Sequence, residues 1–275
     1  MKIVIAILLL AIALVTGVIW LQVITARCEA REPSTTRGGN PGTRVPVVVE
    51  LFTSEGCSSC PPADRLLGQL ESEQPVEGAE IIVLGEHVDY WDRLGWKDPF
   101  SSAEFTARQN GYAAAFGNDG MYTPQMVVDG REEFVGSDAR RARNAIAAAA
   151  RVPKAKVELT RDAGENGREL KLRVRVGPLP AGTRSADVLL GLTESGLVTA
   201  VPRGENAGRT IAHAGVVRQL QVIGQARESG AEAFVGQALI KLENAWRAEN
   251  LRIVAFLQER GSRRIVGAAS LRFAP

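Results

Sequence analysis

Cys57 and Cys60, with Ser58 and Ser59 between them, are the residues of this chain whose type and spacing point most directly to chemistry. The apolar run Val45–Thr53 before them reads as a buried strand. Pro61, Pro62 and Ala63 after them open a helical pattern with Leu66, Leu67 and Leu70 on one face. Strand, turn, Cys-x-x-Cys, helix puts the first sulfur at a helix N-terminus, where free N–H groups and the positive end of the helix dipole favour thiolate over thiol. A dithiol placed there can pass between two thiols and one disulfide, with Cys57 as the more exposed nucleophile and Cys60 as the resolving thiol. An inert disulfide closing so small a ring would remove little entropy from the unfolded chain. A structural zinc site would want four ligands, and the chain offers one such Cys pair and two histidines.

Three further constituents could complete such a site. Pro124, preceded by Thr123, opens a short strand; a cis bond there would leave the Thr123 backbone to pair with an extended peptide, while a trans bond would simply begin the strand. Glu50 lies in the same strand, seven residues before Cys57. Buried there with a raised pKa, it would accept a proton from Cys60; on a polar face it would do nothing. His87, Asp89, Tyr90, Trp91 and Asp92 follow the carboxyl end of the second strand, with Trp96 and Asp98 beyond. That end of an open α/β sheet is where ligands bind, so Tyr90 and Trp91 are expected to shape a substrate groove. His87 is either packed in the aromatic loop or a third metal ligand beside the two cysteines. His213, in a Gly-rich stretch, reads as incidental.

The elements that must hold these residues alternate from Val45 to about Ala150. A strand, a helix over Pro61–Glu73, a strand over Glu80–Val88 and a helix over Ser101–Phe116 come first. Short strands Gln125–Val128 and Glu132–Val135 follow, joined by Asp129–Gly130, and a helix capped by Ser137–Asp138 ends the series. This βαβαββα order predicts a thioredoxin-like α/β domain over 45–152. From Pro153 the pattern turns to period-two alternation with Gly and Pro punctuation. It predicts a second, all-β antiparallel sandwich domain over 153–275, without an ionisable cluster of its own. Residues 27–44 read as a flexible linker rich in Pro, Gly, Ser, Thr and Arg. Residues 1–26 carry an apolar run after Lys2 whose length suits an uncleaved membrane anchor, while Ala26 and Ala30 leave cleavage of a signal peptide open. Arg27 before Cys28 argues against a lipoprotein. Either way the body would be exported, to the periplasm or beyond, where disulfides form. With 33 basic against 31 acidic residues and no basic block, nothing suggests nucleic acid.

The stretches VELFTSEGCSSCPPAD (Val49 to Asp64), HVDYWDRLGWKDPF (His87 to Phe100) and YTPQMVVDG (Tyr122 to Gly130) resemble a family of uncharacterised secreted bacterial proteins with a thioredoxin-like fold, catalogued as a domain of unknown function. The resemblance extends through VPRGENAGRTIAHAGVVRQL (Val201 to Leu220). It implies Cys57 and Cys60 as a redox pair and Pro124 as a cis-proline. Gly56 departs from ordinary thioredoxins, which place a Trp before the first Cys. The leading expectation is an exported thiol–disulfide oxidoreductase that needs no cofactor and acts on protein thiols or disulfides. The alternatives are a copper-handling assembly protein using Cys57, Cys60 and His87, and a binding module that has lost turnover.

Overall fold

The computed structural model describes residues 44–162, 169–228 and 230–273. The apolar N-terminal segment and most of the linker lie outside them. Among the described residues no helix is long and apolar enough to cross a membrane.

Strand β1 (Val45–Thr53) is the centre of the fold. Its residues from Val47 onward are buried, as a run rich in β-branched side chains must be when both faces of its sheet are covered. Parallel to it runs β2 (Ala79–His87), in register from Val45 opposite Ala79 to Thr53 opposite His87. Helix α1 (Pro61–Glu73) connects the two. It begins on two prolines and ends at Gln74, whose side-chain amide ties the last turn to Ile81. Helix α2 (Ala103–Phe116) is capped by the Ser102 hydroxyl at its start and by left-handed Gly117 at its end. Strands β3 (Gln125–Val128) and β4 (Glu132–Val135) form a hairpin on the far side of β1, and α3 (Ala139–Ala149) follows under an Asp138 cap. On one face of this sheet, Val47, Val49, Leu51, Ile81 and Val83 pack against Leu66, Leu67, Leu70 and Ile146 of α1 and α3.

The remaining strands are β5 (Val157–Asp162), β6 (Glu169–Val176), β7 (Ser185–Glu194), β8 (Leu197–Ala200), β9 (Thr210–His213), β10 (Val216–Arg227), β11 (Phe234–Lys241), β12 (Leu251–Gln258) and β13 (Ile265–Arg272). They do not build a separate sandwich. Strands β7, β10, β12 and β13 continue the first sheet, giving one eight-stranded sheet of order β13-β12-β7-β10-β2-β1-β3-β4. The architecture is mixed α/β, with this large sheet, a three-stranded antiparallel sheet β11-β6-β5 and the two-stranded β8-β9. Two layers do pack against each other in the later half, where Leu172 and Val174 of β6 meet Val188, Leu190, Ile253 and Ala255. One of those layers, however, belongs to the sheet that starts at β1. The boundary expected at Pro153 therefore separates no independent core, because residues 43–275 form one compact unit. Period-two alternation registers a sheet but not which sheet a strand joins.

The seam is made by close backbone approach. Gly85 N–H donates to the Gly215 carbonyl at 2.7 Å, and Val216 pairs with Gly85. Gly215 has φ +58°, and a Cβ there would lie 2.7 Å from the Val83 carbonyl oxygen, so only glycine fits. Beyond the seam, Val48, Ile82, Leu84 and Phe105 pack with Leu189, Val254, Phe256 and Ile265, so the first half borrows its second core from the later strands. The sheet's two ends also meet, through the Ile265 N–H and the Asp129 carbonyl at 2.8 Å.

A fragment of residues 45–152 would expose that shared apolar face. It is expected to show no cooperative thermal transition by circular dichroism. In the full chain, Phe256→Ala should cost about 3–5 kcal/mol in a single unfolding transition.

Candidate functional site

Cys57 and Cys60 lie in the loop leaving β1 and are joined as a disulfide, with Cα atoms 5.4 Å apart. Cys60 is the cap position of α1, so the pair does meet a helix N-terminus. The helix's own N–H groups are not free for sulfur, contrary to expectation. Pro61 and Pro62 have none, and those of Ala63 and Asp64 donate to the Cys60 carbonyl. What remains for a thiolate is the helix dipole and the Ser59 hydroxyl, 3.3 Å from Cys57 Sγ.

Cys57 is not the exposed residue of the pair, since both cysteines are fully buried while Ser58 and Ser59 are exposed. The cover comes from the connection between β8 and β9. Asn206, itself fully buried, donates its side-chain amide to the Glu55 and Cys57 carbonyls at 2.8 and 2.9 Å, and Glu205 accepts from Ser58 N–H at 3.1 Å. On another side stands Trp91, whose Cβ would be 3.1 Å from a Cβ at Gly56. The missing tryptophan at position 56 thus has a physical reason, because Trp91 already occupies the space beside it.

Thr123, Tyr90 and Trp91 are brought together. Trp91 Nε1 donates to Thr123 Oγ1 at 2.8 Å, and Tyr90 bonds Gln109, whose amide in turn holds the Tyr122 carbonyl. The Thr123–Pro124 bond is cis, as expected. Pro124 and Ala63 both lie within 3.2 Å of where a Cβ at Gly136 would sit, which places the proline beside the first turn of α1.

Glu50 is buried but is not the proton acceptor foreseen. It points to the face of the sheet opposite α1, where Arg108 Nε donates to it at 2.6 Å and the Tyr112 hydroxyl donates to its other oxygen. Arg108 also reaches Glu86 and Gln258, and Gln258 bonds Tyr112, so the group is a closed ionic network inside the fold. Burial pushes the pKa of Glu86 well up against the pull of Arg108, and the neighbouring Glu50 adds to the rise. Residue parity decides this: successive side chains along β1 alternate faces, and Glu50 shares its face with Val48 and Phe52 rather than Leu51.

Another buried carboxyl belongs to Asp64, in the first turn of α1 four residues after Cys60. It accepts from Thr53 Oγ1 at 2.8 Å, and burial raises its pKa against the partial relief given by His87, His213 and Thr53. Below the Cys loop sit the remaining polar groups. Asp98 accepts from Glu55 N–H at 2.8 Å and pairs with His87 Nδ1 at 2.7 Å, while the Glu55 carboxylate takes Trp96 Nε1 at 2.7 Å and His213 Nε2 at 2.9 Å. His213 is therefore not incidental, and the later half does contribute ionisable groups. Burial would lower the pKa of His87, but Asp98, Asp64 and Glu55 together outweigh it and raise it; the same pairing holds Asp98 low against its own burial. Spacing could have flagged Asp64, four residues after Cys60 on a helix. Nothing in the sequence pattern links Asn206, Glu205 or His213 to residues about 150 positions earlier.

The metal set of Cys57, Cys60 and His87 is not assembled. The sulfurs are bonded to each other, His87 Nδ1 is committed to Asp98, and among the described residues no group of three His, Cys, Asp or Glu is arranged to hold an ion.

A strand-end disulfide capped by a distant loop, in a mixed α/β sheet, is thus the frame within which relatives can be compared. Residues 48–258 match the family described as protein of unknown function (DUF1223), and the chain belongs to that family. It is similar to the crystal structure of a protein from Agrobacterium tumefaciens, at 28% identity and TM-score 0.63, over 83% of this chain and 94% of that one. It is also similar in fold to HBP35 of Porphyromonas gingivalis, at 15% identity and TM-score 0.62, over 84% of this chain and 76% of that one. No curated protein matches by sequence.

Two outcomes follow from this geometry. Asn206→Ala removes two buried hydrogen bonds, worth about 2 kcal/mol together, and should speed reduction of the disulfide by dithiothreitol roughly tenfold, read by thiol labelling. Asp64 binds its proton more tightly folded than unfolded, so it lowers stability as pH rises from about 3.8 through its raised folded value. Asp64→Asn keeps an acceptor for Thr53 and should raise the denaturation midpoint at about pH 8 but not at about pH 4.

Proposed function

We propose that the protein is a thiol–disulfide oxidoreductase working outside the cytoplasm. The observation that carries this is the Cys57–Cys60 pair, closed across a Cys-x-x-Cys turn between the carboxyl end of β1 and the first turn of α1. A disulfide at that position spans too short a loop to contribute much as a staple. The order β1-α1-β2-α2-β3-β4-α3, with β2-β1-β3-β4 adjacent in the sheet, supports reading residues 45–152 as a thioredoxin-like unit into which the later strands are fused. Thr123, Tyr90 and Trp91 offer an edge on which an extended thiol-bearing peptide can lie once the Asn206 loop is displaced. A disulfide of this kind, together with the apolar N-terminal segment of the sequence, favours export to an oxidising compartment.

In the reaction, a substrate thiolate attacks Cys57 Sγ, Cys60 leaves as thiolate, and a second substrate thiol resolves the mixed disulfide, so that the substrate leaves oxidised and the protein reduced; in the reverse course the reduced pair reduces a substrate disulfide. Burial of both sulfurs makes loop opening a step of the cycle rather than a bar to it.

Equilibration of the full chain in defined glutathione buffers, read by alkylation, tests the reading. The pair is expected to cycle reversibly. A midpoint near about −120 to −180 mV would make it a donor of disulfides, one near about −270 mV a reductant. Cys57→Ser and Cys60→Ser should each abolish turnover of a protein disulfide substrate, and a pair that never cycles would overturn the proposal.

A further inference from the structure

The chain has two histidines, and the fold brings both to one buried spot. His87 ends β2 and His213 ends β9, 1% and 5% exposed, with ring centroids 5.0 Å apart. Phe100 packs edge-on against both rings, so the pair is shut off on that side. The carboxylates come from three different elements: Glu55 from the Cys loop, Asp98 from the loop before α2 and Asp64 from α1. Each histidine uses one nitrogen on a carboxylate, and His213 Nδ1 has no hydrogen-bond partner among the described residues. Leaving a buried imidazole nitrogen bare costs about 1–3 kcal/mol, so its retention wants an explanation other than stability.

We propose that His87, His213 and Asp64 form a proton store for the Cys57–Cys60 pair, giving up protons as the disulfide opens and regaining them as it closes. The proposal rests on the redox reading above. When a substrate thiolate attacks Cys57 Sγ, a new S–S bond forms and the Cys57–Cys60 bond breaks, its electron pair departing on Cys60 Sγ. That sulfur is buried, and an unpaired thiolate there is costly. In this proposal Asp64, four residues after Cys60 in the first turn of α1, supplies the proton and His87 replaces it. A second substrate thiol then attacks the mixed disulfide. The substrate leaves as its own disulfide, two electrons have passed to the protein, and the Cys57 thiolate takes its proton from the cluster through Glu55 and His213. The two protons shed by the substrate thiols enter solvent, and the store regains its own when Cys57 and Cys60 give up theirs on reoxidation.

The groups facing the histidines are Glu55, Asp64 and Asp98, with Trp96 on Glu55; Arg218 stacks on Phe100 behind them, and among the described residues no lysine or arginine bonds these three carboxylates. Burial raises the pKa of Asp64, and Asp98, Asp64 and Glu55 raise that of His87 against its own burial, so both hold a proton more tightly than the free side chains do. The later half of the chain, through His213, thereby enters the chemistry of a site that otherwise lies in the first half.

The test follows the ring nitrogens of both histidines by NMR from about pH 5 to 9, in the full chain oxidised and reduced with dithiothreitol. Both titration midpoints are expected to move on reduction. In parallel, His213→Gln, which keeps a donor for Glu55, should slow reduction by dithiothreitol at least tenfold below about pH 7 and leave it within twofold near about pH 9, where the store is empty in either protein. Histidine titrations that coincide in the two redox states would overturn the proposal even if the variant failed to fold, as would an unaltered pH profile in a folded variant. A natural-sequence protein that dithiothreitol and oxidised glutathione cannot cycle would instead sink the redox reading beneath it.

Discussion

A carboxylate buried beside the Cys loop must be given donors, and Glu55 takes both of its side-chain donors from distant parts of the chain. Trp96 Nε1 arrives from the loop after β2 and His213 Nε2 from β9, while the backbone of Glu55 is held by Asp98 and Asn206. An isolated charge there would be prohibitively unstable, so the loop, the β8-β9 hairpin and the aromatic segment are obliged to close together. The cover over the disulfide is a consequence of that obligation. Asn206 can reach the Cys57 carbonyl because His213, seven residues later, is anchored under it.

The same rule governs the far side of the sheet, with a different outcome. Arg108 enters an apolar interior lined by Phe256 and Tyr112, and the fold answers it with Glu50, Glu86 and Gln258 from three strands. Here the network joins the two halves of the chain as a polar clamp. Buried charge therefore serves twice, once around the Cys loop and once as a structural tie. Which role a given carboxylate has is decided by the side of β1 on which it emerges.

Fusion of the two halves has a functional meaning under the proposed activity. An independent sandwich domain could only dock a partner. A hairpin rooted in the shared sheet can instead set how often the sulfurs are reached and what proton donors stand near them. The exposed Ser58 and Ser59 leave the turn itself at the surface while the reactive atoms are withheld. Access in such a site is controlled by a few hydrogen bonds, a scale at which loop opening is thermally frequent.

By itself the sequence determined the local elements and the Cys pair's address. Apolar runs, prolines at a helix start, an Asp-Gly turn and Ser and Asp caps are short-range signals, because each rests on backbone geometry within a few residues. It also singled out Thr123–Pro124, whose bond is cis, and Trp91, which bonds Thr123. Only the tertiary structure decided that Glu50 faces Arg108 on the side of the sheet opposite α1, that β10 seats against β2 through Gly85 and Gly215, and that Asn206 and His213 bond the Cys loop. The reason is physical. Strand parity, sheet membership and the pairing of buried charges are settled by contacts between residues far apart in the chain, and alternation along one segment carries no record of its partner.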